Sequence, residues 1–383
     1  MAQDQTNAVQ DRYGAAAKSL EVELCCPVDY DPQYLKVIPQ EVLDRDYGCG
    51  DPSQYVKKGE TVLDLGSGGG KICFIASQVV GEAGKVIGVD RNRDMLDLAR
   101  KSQAEVTSKT GLNNIDFRCG SIQDLALNLE KVESFLQKNK VQTREDLFLL
   151  EEENDRLRKE EPLVEDNSID VVVSNCVLNL VNEEDRQSMF KELFRVVKVG
   201  GRVAISDIVC DEDVPDHQKK DPELWSGCIS GAFREDLFLK AFADDGFYGV
   251  EMVKRDEIPW KTVEGIEYRS VTVVAYKGKQ GPCKEAHQAV IYPGPWSEVR
   301  DDDGHIFKRG ERVAVCAKTF GLLTAKPYSS QIVPLPPYKE VAPEKMGDFE
   351  CQGYVLRDPK TTKAGGEPKK TNSECCDPSS GCC

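Results

Sequence analysis

Apolar runs and helical periodicities alternate along the first half of the chain. Val62-Leu63-Asp64-Leu65 reads as a buried parallel strand carrying one carboxylate, and Gly66-Ser67-Gly68-Gly69-Gly70 follows it as a turn. Lys71 to Val80 sets Ile72, Ile75, Ala76 and Val79 at helical spacing. Lys85-Val86-Ile87-Gly88-Val89-Asp90 is a second strand, ending in an acid. Asp94 to Thr107 predicts an amphipathic helix with Leu96, Leu98, Ala99 and Val106 on its apolar face. Ile115 to Cys119 is a third strand and Ile169 to Ser174 a fourth. A helix over Met189–Val197 precedes Gly200 to Asp207, a turn and the fifth strand. Strands alternating with helices predict an α/β class, a Rossmann-like doubly wound sheet.

The alternation breaks in places. Residues 1–54 precede the core, with short helices expected between Ala8 and Leu24, then Leu24-Cys25-Cys26-Pro27 and the open turn Tyr47-Gly48-Cys49-Gly50. Within the 55–208 core, Leu125, Leu129, Val132 and Leu136 keep helical spacing before a charged stretch. Residues 126–165 therefore read as a solvated helical insertion. In residues 209–280, 209–235 read as helical, and Arg255–Trp260 and Ser270–Tyr276 as last strands forming an antiparallel edge. Beyond them, Ala289–Tyr292, His305–Lys308 and Arg312–Val315 are short strands between Pro and Gly turns. They predict a β-rich accessory domain over 281–357. Asp358 to Cys383 lacks core formers and is expected to be disordered; it ends in two vicinal dithiols, Cys375-Cys376 and Cys382-Cys383.

The glycine turn points to a nucleotide-like ligand. Asp90 lies 22 residues beyond Gly68, near the ~20 expected of a ribose-binding carboxylate. A phosphate loop would end Gly-Lys-Ser/Thr, and Gly70-Lys71-Ile72 does not; a dinucleotide fingerprint would place glycine where Lys71 stands. Asp64, inside the strand, is a poor neighbour for a pyrophosphate and a good one for an ammonium group. S-adenosylmethionine has an ammonium, a ribose and an adenine, and no phosphate. Asp64, Gly66 and Gly68 are thus candidates for its amino-acid end and Asp90 for the ribose. Ile122 and Gln123, at the exit of the third strand, are candidates for the adenine, and Arg91 and Asn175 complete the set.

A net charge of −16 leaves no basic stripe for a nucleic acid. The polar start and the lack of an ~18-residue apolar run suggest no export signal and no membrane span, hence a cytoplasmic protein. Fifteen cysteines in a reducing compartment are poorly explained by structural disulfides. Cys119 reads as strand core. Cys49 sits between glycines, Cys176 at the carboxyl tip of a central strand, and Cys228 among small residues in Leu224-Trp225-Ser226-Gly227-Cys228; Cys25 and Cys26 form a vicinal pair. The three histidines, His217, His287 and His305, neighbour none of these cysteines, so a structural zinc site fits badly. Soft thiolates select soft ions. Trivalent arsenic is one: three thiolates fill its coordination and leave a nucleophilic lone pair, which suits the sulfonium methyl of S-adenosylmethionine.

The chain resembles the arsenite S-adenosylmethionine methyltransferases. The resemblance is carried by Tyr47-Gly48-Cys49-Gly50, Asp64-Leu65-Gly66-Ser67-Gly68, Ser174-Asn175-Cys176-Val177-Leu178-Asn179-Leu180 and Leu224-Trp225-Ser226-Gly227-Cys228, over about residues 12 to 278. It implies the class I methyltransferase fold, methylation of arsenite to mono-, di- or trimethylated forms and a role in arsenic detoxification. Cys49, Cys176 and Cys228 match the family's arsenic-binding thiols, and Cys25 or Cys26 its fourth cysteine. It further implies As(III)–thiol complexes as substrate, a redox disulfide between Cys49 and Cys25 or Cys26, and thioredoxin or glutathione as reductant. A methyltransferase acting on a small organic acceptor and a metalloid-sequestering protein are the competing readings, and the tail dithiols would serve the latter.

Overall fold

The computed structural model describes residues 2–19, 21, 28–351, 353–364 and 366. It divides into two compact units, residues 1–278 and 279–383. Cys25, Cys26 and the tail dithiols lie outside the described residues.

The first unit is built on one sheet. Its strands are β1 (Thr61–Leu65), β2 (Lys85–Asp90), β3 (Ile115–Cys119), β4 (Ile169–Asn175), β5 (Val197–Cys210), β6 (Phe233–Arg234), β7 (Tyr248–Arg255), β8 (Lys261–Val263) and β9 (Ile266–Tyr276). The order is β3-β2-β1-β4-β5-β9-β7, with β6 on β5 and β8 on β9. The first five strands run parallel; β9 is antiparallel to β5 and to β7, which gives the expected mixed sheet. The chain reverses strand order between β1 and β4, and ligands bind at the carboxyl edge of such a switch point. Parallel strands are covered on both faces, so Val62, Leu63, Leu65, Val171, Val172, Val173, Val203, Ala204 and Ile205 are all buried. On one face Phe190, Phe238, Phe242 and Phe247 stack edge to face, the Phe190–Phe242 centroids 5.0 Å apart. On the other, the helix Lys71–Val80 packs against the helix Arg93–Thr110, and Gly88 leaves room for Phe117 and Cys73.

Some sequence expectations need correction. In the span Ala8–Leu24 the described residues carry one helix, Ala2–Ala16, which starts before Ala8; two short ones, Pro32–Leu35 and Gln40–Asp44, follow it. The insertion carries two helices, Leu129–Lys138 and Arg144–Glu160, as the spacing predicts. Residues 209–235 hold the end of β5, two short helices, Asp216–Lys219 and Pro222–Ser226, and β6; Pro215, Pro222 and the glycines Gly227 and Gly231 cut the helical pattern. The strand expected over 255–260 is displaced: β7 ends at Arg255, and Pro259 sits in the link to β8. The helix Glu235–Asp244 was not predicted. Its apolar residues crowd into Phe238–Phe242, too short a run for periodicity to mark.

The second unit pairs β13 (Arg312–Ala314), β10 (Ala289–Ile291) and β14 (Val333–Leu335) in that order. A separate hairpin joins β11 (Glu298–Arg300) to β12 (Ile306–Lys308). Val290, Tyr292, Phe307, Val313 and Leu323 form its core. Residues 358–364, expected to be disordered, form a turn of helix over Pro359–Lys363. Asp358 caps it, and Thr362 is buried, accepting from Arg312 (2.9 Å) and, through its carbonyl, from Tyr338 N–H (2.8 Å). Hydrogen bonds replace the missing apolar anchor.

Truncation of Phe242 to Ala removes the ring shared by three aromatic pairs. It should lower stability by about 3–5 kcal/mol, read as a fall in the urea midpoint at constant slope. A loss below about 1 kcal/mol would mean that the aromatic stack is not tightly packed.

Candidate active site

At the carboxyl edge of the sheet a cavity of about 190 Å³ is lined by the glycine turn and the strand tips. Every residue expected to meet the cofactor lines it: Asp64, Gly66, Gly68, Asp90, Arg91, Ile122, Gln123 and Asn175. Gly66 and Gly68 have φ of 65° and 50°, a backbone region that disfavours side chains; a Cβ at Gly66 would also lie 2.5 Å from Val177. The Gly68 N–H donates to Asp90 Oδ2 (2.8 Å) and the Asn92 N–H to Oδ1 (2.7 Å). The carboxylate is thereby fixed, and lone pairs remain for ribose hydroxyls. Burial raises the Asp90 pKa despite these bonds.

Asp64 is 2 % exposed and its pKa is pushed up to about 7 by desolvation, partly opposed by the Cys73 thiol, which donates to it at 3.2 Å. Among the described residues no cation pairs with it. A buried carboxyl on a cavity wall without a counter-charge fits the ammonium of S-adenosylmethionine. Lys71, where a dinucleotide fingerprint has glycine, also lines the cavity: it pairs with Asp46 at 2.6 Å and lies 3.6 Å from the Tyr30 ring centroid.

The cysteines meet the cavity at the tip of β4. Cys176 lines it, and its φ of 60° is rare for a side chain; Cys228 shares this strain with a φ of 59°. Cys49, Cys176 and Cys228 pack in one buried cluster, with the Cys228 thiol 3.4 Å from the Cys176 carbonyl. The structure differs from the expectation of three free thiols, because Cys49 and Cys176 are joined as a disulfide. Their Cα atoms are 5.8 Å apart, the spacing such a bond requires. Cys25 and Cys26, the expected partners of Cys49, lie outside the described residues.

Asn175 holds this arrangement. Its Oδ1 accepts from the N–H of Cys49 (2.8 Å) and of Gly50 (3.1 Å), and its Nδ2 donates to Gly50 O (2.7 Å) and Tyr30 OH (3.1 Å). It borders the cavity, and its amide hydrogen bonds run to the Cys49 loop and to Tyr30, so it positions Cys49. Ser270 adds a bond to Cys49 O (2.6 Å).

Sequence reasoning missed two contributors. Asp207, within β5 and level with the tip of β4, has a carboxylate oxygen within 4.8 Å of the sulfurs of Cys49 and Cys176. It accepts from Leu178 N–H (2.8 Å), and burial pushes its pKa to about 7. Its only sequence signal is an acid ending an apolar strand. The N-terminal helix is the second. Thr6, Val9, Gln10 and Tyr13 line the cavity, and Tyr13 OH lies 3.8 Å from Cys228 Sγ. Arg12 ties the helix to Glu223 O (3.0 Å).

The chain also resembles known proteins. A methyltransferase-domain family model matches residues 56–161 and 152–246, and a model described as a domain of unknown function (DUF8838) matches 279–367. An arsenite methyltransferase of Aquipseudomonas alcaligenes is 30% identical over 335 residues, 82% of this chain and 86% of that one. The chain belongs to the arsenite methyltransferase family. A Mus musculus arsenite methyltransferase is 30% identical over 374 residues, 92% of this chain and 89% of that one. In fold, the chain matches the crystal structure of an arsenic(III) S-adenosylmethionine methyltransferase from Chlamydomonas reinhardtii. The TM-score is 0.54 and the identity 23%, over 86% of this chain and all of that one.

A Cβ at Gly48 would lie 2.0 Å from Asn175 Nδ2. Gly48→Ala should therefore lift the Cys49 loop. If this costs about 1.4 kcal/mol of local stability, alkylation of Cys49 in the reduced protein should rise about tenfold. Unchanged labelling, mapped by mass spectrometry, would rule out the clamp.

Proposed function

We propose that this chain methylates trivalent arsenic, held by Cys49, Cys176 and Cys228, at the tips of β4 and β5. The observation that carries the reading is Cys176, which both lines the cofactor cavity and packs with the other two cysteines. Before arsenic binds, the Cys49–Cys176 disulfide takes two electrons from two external thiols and returns two protein thiols. Three cysteine thiols then displace the thiols carried by As(III), with no change of oxidation state. Glutathione suits the carrier role, and glutathione or thioredoxin the reducing role. Tyr13, Leu180 and the N-terminal helix wall the cavity and keep water from the reacting atoms. Asp207 is largely protonated below pH 7, which removes a negative charge from beside the thiolates. S-adenosylmethionine, when bound, supplies an electrophilic methyl, which arsenic takes with its lone pair. Cys49 with Cys25 or Cys26 gives two electrons to return the methylated arsenic to the trivalent state and becomes a disulfide, which thioredoxin or glutathione reduces, so that repeated cycles yield mono-, di- and trimethylated products. Arsenic detoxification in the cytoplasm is the biological role this chemistry serves.

Incubating purified protein with arsenite, S-adenosylmethionine and a thiol should give methylated arsenic that requires both the methyl donor and the thiol. Bound arsenic without product would indicate sequestration; neither binding nor product would turn attention to organic acceptors. Cys176→Ser and Cys228→Ser should each abolish turnover on arsenite while S-adenosylmethionine still binds. Normal turnover in either variant would sink the three-thiolate model.

Asp64 gives a pH signature. Its folded pKa is raised, so its burial costs no stability at low pH, costs progressively more from about pH 4, where the unfolded chain ionises, and reaches its full cost above about 7. The ammonium of the cofactor needs the charged form. Affinity for S-adenosylmethionine should weaken about tenfold from pH 7.5 to pH 6, and Asp64→Asn should bind weakly with a flat profile over that range. A profile unchanged by Asp64→Asn would place the ammonium elsewhere.

A further inference from the structure

The second unit contains a cluster of thiols that the methylation reaction does not use. Cys283, Cys316 and Cys351 bring their sulfur atoms within 4.8 Å of one another, and all three are free thiols. They come from three separate segments that backbone hydrogen bonds tie together. Phe349 N–H donates to Cys283 O (3.0 Å), Glu285 N–H to Gly347 O (2.9 Å) and Ala317 N–H to Lys284 O (2.8 Å). Lys284 pairs with Asp348 both as a β-bridge and as a 2.6 Å ion pair, which fixes the ends of two of these segments. Cys316 is fully buried at the start of the helix Ala317–Leu323. Its sulfur accepts from the Thr319 N–H (3.3 Å) and meets the Thr319 hydroxyl at 3.2 Å, so its side chain is held in one place. Cys283 and Cys351 are half-buried, which leaves the cluster open to solutes on one side.

Among the described residues no histidine or carboxylate joins the three sulfurs within the same distance. That donor set matters. Zinc takes four ligands in a closed structural site, and sulfur donors select soft, thiophilic ions. A trithiolate without a fourth donor completes the coordination of an ion that carries a lone pair.

We propose that Cys283, Cys316 and Cys351 form a second trivalent-arsenic site, separate from the methylation centre and contained within residues 279–383. Binding is a ligand exchange: arsenous acid and three thiols give a tris-thiolate and three waters, with no oxidant or reductant. The choice of arsenic among soft ions rests on the function proposed above; the site itself rests on the sulfur geometry. It would hold inorganic arsenic that this chain does not methylate in place.

Arsenite is the probe, and the whole chain is used. The protein is reduced, loaded with arsenite, desalted, and its arsenic counted by plasma mass spectrometry. Cys283→Ser and Cys351→Ser, both half-buried and so tolerant of substitution, should each lose one arsenic per chain relative to the parent. Their circular dichroism and turnover at saturating arsenite should be unchanged. Cys176→Ser should keep this arsenic and lose the one at the methylation centre. An undiminished arsenic count in both Cys283→Ser and Cys351→Ser would overturn the second site and leave the proposed function standing. Loss of turnover in Cys176→Ser with no change in its own count would instead count against the three-thiolate centre. Zinc that purifies with the parent, resists arsenite and disappears in Cys283→Ser and Cys351→Ser would assign the cluster to zinc and overturn the arsenic site.

Discussion

The amide of Asn175 is the contact on which the methylation centre depends. A strand tip is rigid, but the loop carrying Cys49 has glycine on both sides, and its apolar anchor is Tyr47 alone, packed with Ala16, Ala17 and Met95. One planar amide supplies an acceptor to two loop N–H groups and donors to a carbonyl and a phenol. Aspartate has the same shape but no donor, and a hydrophobe would strand the Cys49 and Gly50 N–H groups at an expected cost of about 1–3 kcal/mol each, while Tyr30 OH and Gly50 O keep each other. The glycines follow from the clamp. The Cβ positions of Gly48 and Gly50 are already filled, by Asn175 and by Ser206. The next residue along the strand is Cys176, so one element sets the place of two of the three sulfurs.

The same sheet edge buries two carboxyls, Asp64 on β1 and Asp207 on β5, flanking β4. Both are pushed up to about 7 by loss of solvent. A shift of that size is worth roughly 4 kcal/mol of disfavoured charge for each group in the unliganded protein above neutral pH. The scaffold tolerates that cost because each strand tip is fixed by backbone pairing on both sides. Asp64 regains stability from a cationic ligand. For Asp207 the Leu178 and Ile208 N–H groups that donate to it offset part of the cost.

How much of this could be read in the sequence depends on what sets each feature. The parallel strands were legible because burial on both faces leaves an unmistakable apolar run, as at Val171–Val173. The glycine turn and Asp90 were legible because their spacing is fixed by one βαβ unit, and the Gly68–Asp90 hydrogen bond accounts for that spacing. Lys71 was readable only as a departure; its pairing with Asp46 and Tyr30 is a contact between distant segments. Asp207 and the Asn175 clamp escaped for the same reason, since their partners lie on other strands or in the N-terminal loop. Pattern failed outright in 209–260, where proline and glycine override apolar periodicity. The Cys283–Cys316–Cys351 cluster has no motif at all, because a β-bridge and a helix start, not sequence spacing, bring its members together.

The two thiol clusters are built on opposite principles, and this bears on what each can do. At the methylation centre two of the three cysteines sit at positive φ, a conformation worth of order 1–3 kcal/mol of strain that only the surrounding packing maintains. Such sulfurs can change partner cheaply: a disulfide here, and in the proposed turnover a metalloid ligand. The C-terminal thiols rest on ordinary extended backbone and a helix start, with no positive φ at Cys283, Cys316 or Cys351. Relaxed geometry gives a ligand cage no strain to release when its ligand leaves. It therefore suits retention of a metalloid, whereas the strained pair beside the cofactor cavity suits a cycle of binding, transfer and reduction.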